Sequence, residues 1–213
     1  MANATPSAGQ NQSEVFYLES TNNGKDWMIA GTMPAPIKVT DYEAGGFKTV
    51  AYDDIAAVYD YSDRLHIIWN TYVSGNSNDV SLWQWSDTTG VRKITSHFAS
   101  SDCDPGDWNL ILAKMTAGVE YLSADPAYNY IYTTYTKFRD GDFSAGGMAN
   151  GDICLRASSN GGLTWGPEVN LTNTPDSGCT AGNCESEHFS SIAERVDSFL
   201  YVQYIYDLDA GSS

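Results

Sequence analysis

Alternating apolar and polar positions mark six segments of the 213-residue chain, and these segments form three predicted hairpins. Each segment is rich in β-branched and aromatic residues, and period-two alternation over such residues predicts strands with one buried face. We call these hairpins the inner pairs. They join residues 54–59 with 65–70, 109–115 with 130–136, and 190–196 with 199–206.

A second kind of hairpin carries the turn pattern S-x-N-x-G-x-x-W, which occurs at 20–27 (STNNGKDW) and at 158–165 (SSNGGLTW). The serine hydroxyl and the asparagine amide can bond the turn's own backbone, glycine supplies a positive φ, and tryptophan covers the strand beneath. A third segment keeps Ser86 and the layout but lacks the asparagine and the tryptophan. We call these hairpins the outer pairs. They join residues 15–18 with 28–30, 79–85 with 91–95, and 153–156 with 168–171.

The serines that open the three turns, Ser20, Ser86 and Ser158, are 66 and 72 residues apart. A near-constant period of this length indicates a repeat architecture. Because outer and inner pairs alternate along the chain, the sequence predicts an all-β fold of three four-stranded antiparallel units.

The turn pattern resembles the Asp-box of sialidase-like, BNR-repeat β-propellers, although Asn22 and Asn160 stand where that family more often has aspartate. The resemblance assigns the box role to Ser20, Asn22, Gly24, Trp27, Ser158, Asn160, Gly162 and Trp165. It implies that the three units are blades of a propeller, with the box turns on the face opposite the ligand site. The long loops 38–52, 96–108 and 173–189 would then border the ligand.

Three blades are too few for a closed ring, since propellers have about four blades or more. The chain opens on an outer pair and closes on an inner pair, which are complementary halves of one blade. The expectation is half of a six-bladed ring, completed by a second copy of the chain or by a missing half. Residues 1–13 are predicted to be a flexible tail, and 14–213 a single partial-ring domain.

Composition narrows the choice of partner. The formal net charge is −16 and the sequence pI is about 4.2, which argues against nucleic-acid binding, because phosphate neutralisation needs clustered lysine and arginine. No apolar run is long enough to insert into a membrane. With 42% hydrophobic and 13% aromatic residues the chain is not a disordered one, and cations, neutral glycans or proteins are the compatible ligands.

Four cysteines are present, and Cys179 and Cys184 bracket a short loop. A disulfide between them would suit an oxidising compartment, so we expect an extracellular or cell-surface protein. Free thiols or a metal pair are the alternatives. Whether Cys103 pairs with Cys154 does not follow from the sequence.

Carboxylates stand at the start of each predicted inner pair: Asp54, Asp107 and Glu187. With Trp108, Arg139 and His188 they are the candidate ligand-binding residues. Clustered carboxylates suit Ca²⁺ or a polar ligand, and the alternative is that each one only caps backbone N–H groups. Weaker metal candidates are Asp140, Asp142 and Asp152 in the glycine-rich segment 138–152, which could equally be a solvated loop.

Two function classes remain open. The first is a glycan-binding or protein-binding module, using the aromatic and acidic loops of the central face. The second is a glycoside hydrolase, which needs two suitably spaced carboxylates. Sialidase chemistry proper, as the resemblance implies it, requires three arginines on the ligand face, and among five arginines only Arg139 is expected there. The binding module is the favoured class.

Overall fold

The computed structural model describes residues 13–27, 35–46, 48–100, 103–106, 110–121 and 129–211, and in these ranges the regular structure is all β, without a helix. The predicted fold class is confirmed at that level. The strands are β1 (Phe16–Tyr17), β2 (Ile37–Lys38), β3 (Thr49–Tyr59), β4 (Leu65–Val73), β5 (Asn76–Ser86), β6 (Gly90–Phe98), β7 (Leu112–Glu120), β8 (Ile131–Phe143), β9 (Ala149–Ser158), β10 (Val169–Asn170), β11 (Ser186–Ile192), β12 (Arg195–Val196) and β13 (Val202–Asp207).

These strands form two larger sheets and two separate pairs. The first sheet has the order β3-β4-β5-β6 and is antiparallel throughout. In the second sheet β7, β8, β9 and β10 follow the same antiparallel order, and β12 adds to β7 in parallel. β1 pairs with β2, and β11 with β13. The outer and inner pairs therefore succeed one another as the sequence predicts.

Most strands begin or end at other residues than the prediction gives, and three departures change the pairing or the interpretation of a segment. The predicted strand 28–30 lies outside the described residues, and β1 instead pairs with β2 at Ile37–Lys38. The predicted strand 190–196 divides, because its end leaves β13 and joins β7 as β12. Segment 138–152 is a hairpin of β8 and β9 and not a solvated loop: Phe138, Asn150 and Asp152 are each 1% exposed.

The two turns with the full pattern, which we call box turn 1 (20–27) and box turn 2 (158–165), have matching hydrogen bonds. Gly24 N donates to Ser20 Oγ at 3.0 Å, and Gly162 N donates to Ser158 Oγ at 2.8 Å. The asparagine carbonyl then accepts the backbone N–H four residues later, at 2.8 Å in turn 1 and 2.9 Å in turn 2. The serine and the asparagine thus fix the turn as their side-chain chemistry predicts.

At one end of the two larger sheets, buried polar groups join box turn 2 to the first sheet. Asp60 Oδ2 lies 3.2 Å from His66 Nε2, and His66 Nδ1 lies 3.1 Å from Gln84 Nε2. Asn129 donates to Asp60 at 2.5 Å and accepts from Gly161 N at 2.9 Å. Because Asp60, His66 and Gln84 are at most 1% exposed, this network is an internal part of the fold.

The main apolar core lies between the two larger sheets. The first sheet contributes Val50, Ile68 and Leu82, and the second contributes Leu112 and Tyr135, all fully buried. Inward residues from facing sheets therefore meet, as layered β folds require.

The predicted disulfide between Cys179 and Cys184 is confirmed, with Cα atoms 5.0 Å apart. Cys103 and Cys154 are free and buried, and burial raises the pKa of each thiol to about 12. These two thiols are therefore unreactive at neutral pH. Within the described ranges no helix is long and apolar enough to cross a membrane.

Candidate functional site

Three strands contain a β-bulge, a shift in pairing register, at equivalent places. The register of β3 shifts between Ala51 and Ile55, that of β7 between Ala113 and Thr116, and that of β11 between His188 and Ser191. Each strand is the first of an inner pair, and β7 packs against both β3 and β11. The three bulges are therefore neighbours, and bulges commonly redirect side chains near functional sites.

Two bulge residues adopt backbone conformations that are uncommon for residues other than glycine. Lys114 has φ +54° and Phe189 has φ +52°. Such strain persists only where the surrounding structure imposes it, and it is concentrated at functional sites.

Residues at the three bulges contact one another from strand to strand. We call Asp53, Asp54, Lys114 and Phe189 the bulge row. The carboxylate of Asp54 accepts the backbone N–H of Lys114. Lys114 Nζ lies 3.9 Å from Asp53 Oδ2 and 5.5 Å from the centre of the Phe189 ring. Asn70 orients Asp53 by donating to its Oδ1 at 2.8 Å. The row thus places acidic, basic and aromatic groups on three adjacent strands.

A cavity of about 300 Å³ opens beside the acidic end of this row. It lies between the strand β1 region and β3, and its lining comprises Ser13, Glu14, Val15, Phe16, Ala51, Tyr52, Asp53, Asp54, Ile55 and Trp69. Burial, together with the neighbouring charge of Asp53, raises the pKa of Asp54. The cavity therefore combines carboxylates with aromatic surface.

A second polar group, the carboxylate cluster, contains Arg139, Asp152, Thr174 and Glu187. Arg139 Nη1 lies 3.0 Å from Asp152 Oδ2, and Asp152 is 1% exposed. Thr174 N donates to Asp152 Oδ1 at 3.0 Å, and its hydroxyl donates to Glu187 Oε2 at 2.7 Å. Burial raises the pKa of Glu187, which is also 1% exposed. The two buried carboxylates are thus tied to the loop between β10 and β11.

His188 lies beside this cluster but faces other groups. Its Nε2 atom is 2.9 Å from Ser186 Oγ, and its ring centre is 5.5 Å from that of Phe138. Burial lowers the pKa of His188, so the ring is neutral at pH 7. Its position inside the fold indicates a packing role.

The other predicted site residues are dispersed. Asp107 and Trp108 lie outside the described residues. Asp140 accepts from Ser100 Oγ at 2.6 Å, whereas Asp142 accepts from Asn150 Nδ2 and from Asp176 N, both at 3.1 Å. Asp140, Asp142 and Asp152 thus have separate partners, and no group of three or more metal-ligating side chains occurs in the described part of the chain.

The sequence predicts Asp54 beside Glu187 and His188, whereas in the structure Asp54 lies in the bulge row and Glu187 in the carboxylate cluster. The prediction also missed Lys114, Asn70 and Thr174. Of these three residues only Lys114 is recognisable in the sequence, because it is the single charged residue within the apolar segment 110–119. The bulge positions themselves leave no mark in the alternation.

Comparison of the chain with protein-family models, with curated proteins and with solved structures finds no match.

Proposed function

We propose that this chain is a β-propeller module of the Asp-box kind that binds a neutral glycan beside the bulge row. The observation that carries the proposal is the cavity of about 300 Å³ next to Asp53 and Asp54. It is at the lower end of the size range of small-molecule sites, about 300–1,000 Å³, which suits one or two sugar residues.

The chemistry of the cavity fits sugar hydroxyls. Asp53 and Asp54 are acceptors for hydroxyl donors, and Tyr52 offers aromatic surface to the apolar face of a sugar ring. The net charge of −16 disfavours an anionic ligand. A neutral sugar meets both conditions.

The propeller part of the proposal rests on the repeat. Each four-strand ladder is an inner pair followed by an outer pair, and the two full box turns share their hydrogen bonds. Radial arrangement of such units would bring the first strands, with their bulges, to the central axis. The disulfide supports an extracellular or cell-surface location.

A glycoside hydrolase is the second candidate, and the raised pKa of Asp54 beside a second carboxylate favours it. A sialidase is disfavoured by the environment of the arginines. Arg139 is paired with Asp152, Arg156 donates to Gly166 O, and Arg195 lies 4.6 Å from the Tyr121 ring centre. An arginine triad would need residues from elsewhere.

The test is glycan-array screening of the wild-type chain, followed by titration calorimetry with the best ligand. Asp53→Asn should weaken binding at least tenfold, because it removes an anionic acceptor from the cavity. Asp63→Asn is the matched control, since Asp63 lies in the turn between β3 and β4, away from this cavity, and has φ +57°, which asparagine tolerates. Equal affinities for wild type and Asp53→Asn would refute the site.

The same preparations separate binding from hydrolysis. Incubation with the bound glycan should leave it intact if the module only binds. Release of sugar by the wild type, with loss of release in Asp54→Asn, would establish the hydrolase instead.

A further inference from the structure

The second strands of the three inner pairs differ sharply in exposure. The residues that pair just before each bulge are Thr71 on β4, Thr136 on β8 and Ile205 on β13. Thr71 and Thr136 are fully buried, whereas Ile205 is 54% exposed. β4 and β8 each pair on both edges, the second edge being taken by β5 and β9, whereas in the described part of the chain β13 pairs with β11 alone.

The exposed edge is an apolar one. Tyr204, Ile205 and Tyr206 are 47%, 54% and 51% exposed, and β13 contains neither lysine nor proline. Proteins normally protect such an edge, because its free N–H and C=O groups can pair with another strand. The β13 edge therefore has the properties of a docking edge.

The outer pair β1–β2 resembles β9–β10, the outer pair that covers the equivalent edge of β8. Counted from the box serine, Tyr17 opposite Ile37 corresponds to Leu155 opposite Val169. The matching extends beyond the strands: Val39 N donates to Val15 O at 2.9 Å, and Leu171 N donates to Ile153 O at 2.8 Å.

A threonine hydroxyl also closes both pairs in the same way. Val15 N donates to Thr40 Oγ1 at 2.9 Å, as Ile153 N donates to Thr172 Oγ1 at 3.1 Å. β1 is thus the equivalent of β9, but its edge opposite β2 is unpaired in the described ranges.

We propose that β13 of one copy of this chain pairs with β1 of a second copy. The register follows from β8 and β9, where Tyr135 is opposite Cys154 and Thr136 opposite Ile153. By equivalence, Tyr204 lies opposite Phe16, and Ile205 opposite Val15. A two-fold arrangement satisfies both free edges of both copies and closes the assembly, so that it does not extend into a filament.

This pairing goes beyond glycan binding but affects the same site. Phe16 and Val15 line the cavity beside Asp53, so a partner strand on the β1 edge would border the cavity. The two proposals fail separately, because assembly is measured by mass and cross-linking, and glycan binding by calorimetry.

The decisive experiment mixes two single variants, Phe16→Cys and Tyr204→Cys. Facing residues of adjacent strands have Cα atoms about 4.5–5.5 Å apart, which permits a disulfide. We expect mild oxidation of the mixture to give a cross-linked dimer of twice 23.2 kDa on a non-reducing gel. Either variant alone should not cross-link, and Ile37→Cys mixed with Tyr204→Cys is the control for a position one strand farther away.

Light scattering provides the second readout. The wild type should be a dimer, and Ile205→Lys should halve the mass because it places a charge in the new ladder. Phe199→Lys is the matched control: Phe199 is 66% exposed but lies outside β13, so the dimer should persist. A wild-type monomer of 23.2 kDa at tens of micromolar, or cross-linking of Phe16→Cys to itself, would overturn the proposal.

Discussion

Box turns 1 and 2 have the same pattern and the same serine and asparagine hydrogen bonds, but their surroundings differ. Ser158 is 1% exposed and Gly162 is buried, whereas Gly24 is exposed and has no atom within 4 Å of where a Cβ would lie. Trp165 packs against the core, and Trp27 is 44% exposed. The pattern therefore encodes the shape of the turn, and the neighbouring sheet determines how much the turn stabilises the protein.

The neighbour that makes the difference is the first sheet, together with the loop before β8. Gln84 lies directly under Gly162, and Asn129 accepts the N–H of Gly161. The described residues provide no such layer for box turn 1. In the proposed dimer the partner's second sheet and the loop before its β13 would take these places.

The largest expected effect is that of a methyl group at the turn glycine. In Gly162→Ala the new Cβ would lie 2.3 Å from Gln84 Oε1, and Gln84 is fully buried and bonded to His66. The clash adds to the cost of φ +83°, so we expect about 3 kcal/mol of destabilisation. Gly24→Ala carries only the backbone term and should cost about 1 kcal/mol. Urea unfolding of both variants measures the difference, and equal losses would contradict the comparison.

Tryptophan truncation comes next. Trp165→Ala removes a partly buried ring that contacts both the main core and a smaller cluster around Val119, so about 2 kcal/mol should be lost. Trp27→Ala should cost less, about 1 kcal/mol, because 44% of the residue is already exposed. Thermal unfolding of the dissociated chain, where no partner covers box turn 1, measures both losses, and a larger loss for Trp27→Ala would contradict the comparison.

Whether a feature can be predicted from the sequence depends on how far apart along the chain its interacting residues lie. The box turns were predictable because their bonds join residues two to six apart, and the disulfide because its loop is short. The bulges were not, because a bulge depends on the partner strand and leaves the alternation on either side intact. Asp53 and Lys114 are 61 residues apart, so their contact depends on how β3 and β7 pack.

The carboxylate cluster illustrates the same limit. The composition predicts a glycine-rich loop that contains Asp140, Asp142 and Asp152, because glycine and aspartate favour loops. In the structure β8 and β9 continue through that segment, and Arg139 pairs with Asp152 within the sheet. Tertiary pairing overrode local composition there.

Serine removal should have a smaller effect. Ser158→Ala leaves the buried N–H of Gly162 without its acceptor, which costs about 1.5 kcal/mol. In Ser20→Ala water can replace the hydroxyl at the exposed Gly24 N–H, and the loss should be about 0.5 kcal/mol. Amide hydrogen exchange at Gly24 and Gly162 gives the local readout: protection should fall strongly in the first variant and weakly in the second. Similar protection of both amides in the wild type would count against the difference in burial.

The smallest expected effect is a pH dependence of the free energy of unfolding, to which His66, beside the Gln84 that packs under box turn 2, contributes. Burial lowers the pKa of His66 below its ordinary value of 6.5, against the opposing influence of Asp60 at 3.2 Å and of Asp87, while Arg64 lowers it further. As the pH falls below about 6.5 the unfolded chain takes up the proton first, so the stability is present above that pH and is lost as the pH falls toward the folded pKa. His188 and His97, whose pKa values burial also lowers, add to the slope, and His66→Gln should reduce it between pH 6.5 and 5.5 without abolishing it. Ser20→Ala should leave the slope unchanged. Titration of the His66 ring by NMR tests the cause directly. A pKa at or above 6.5 in the folded protein would exclude a contribution of His66 to the slope.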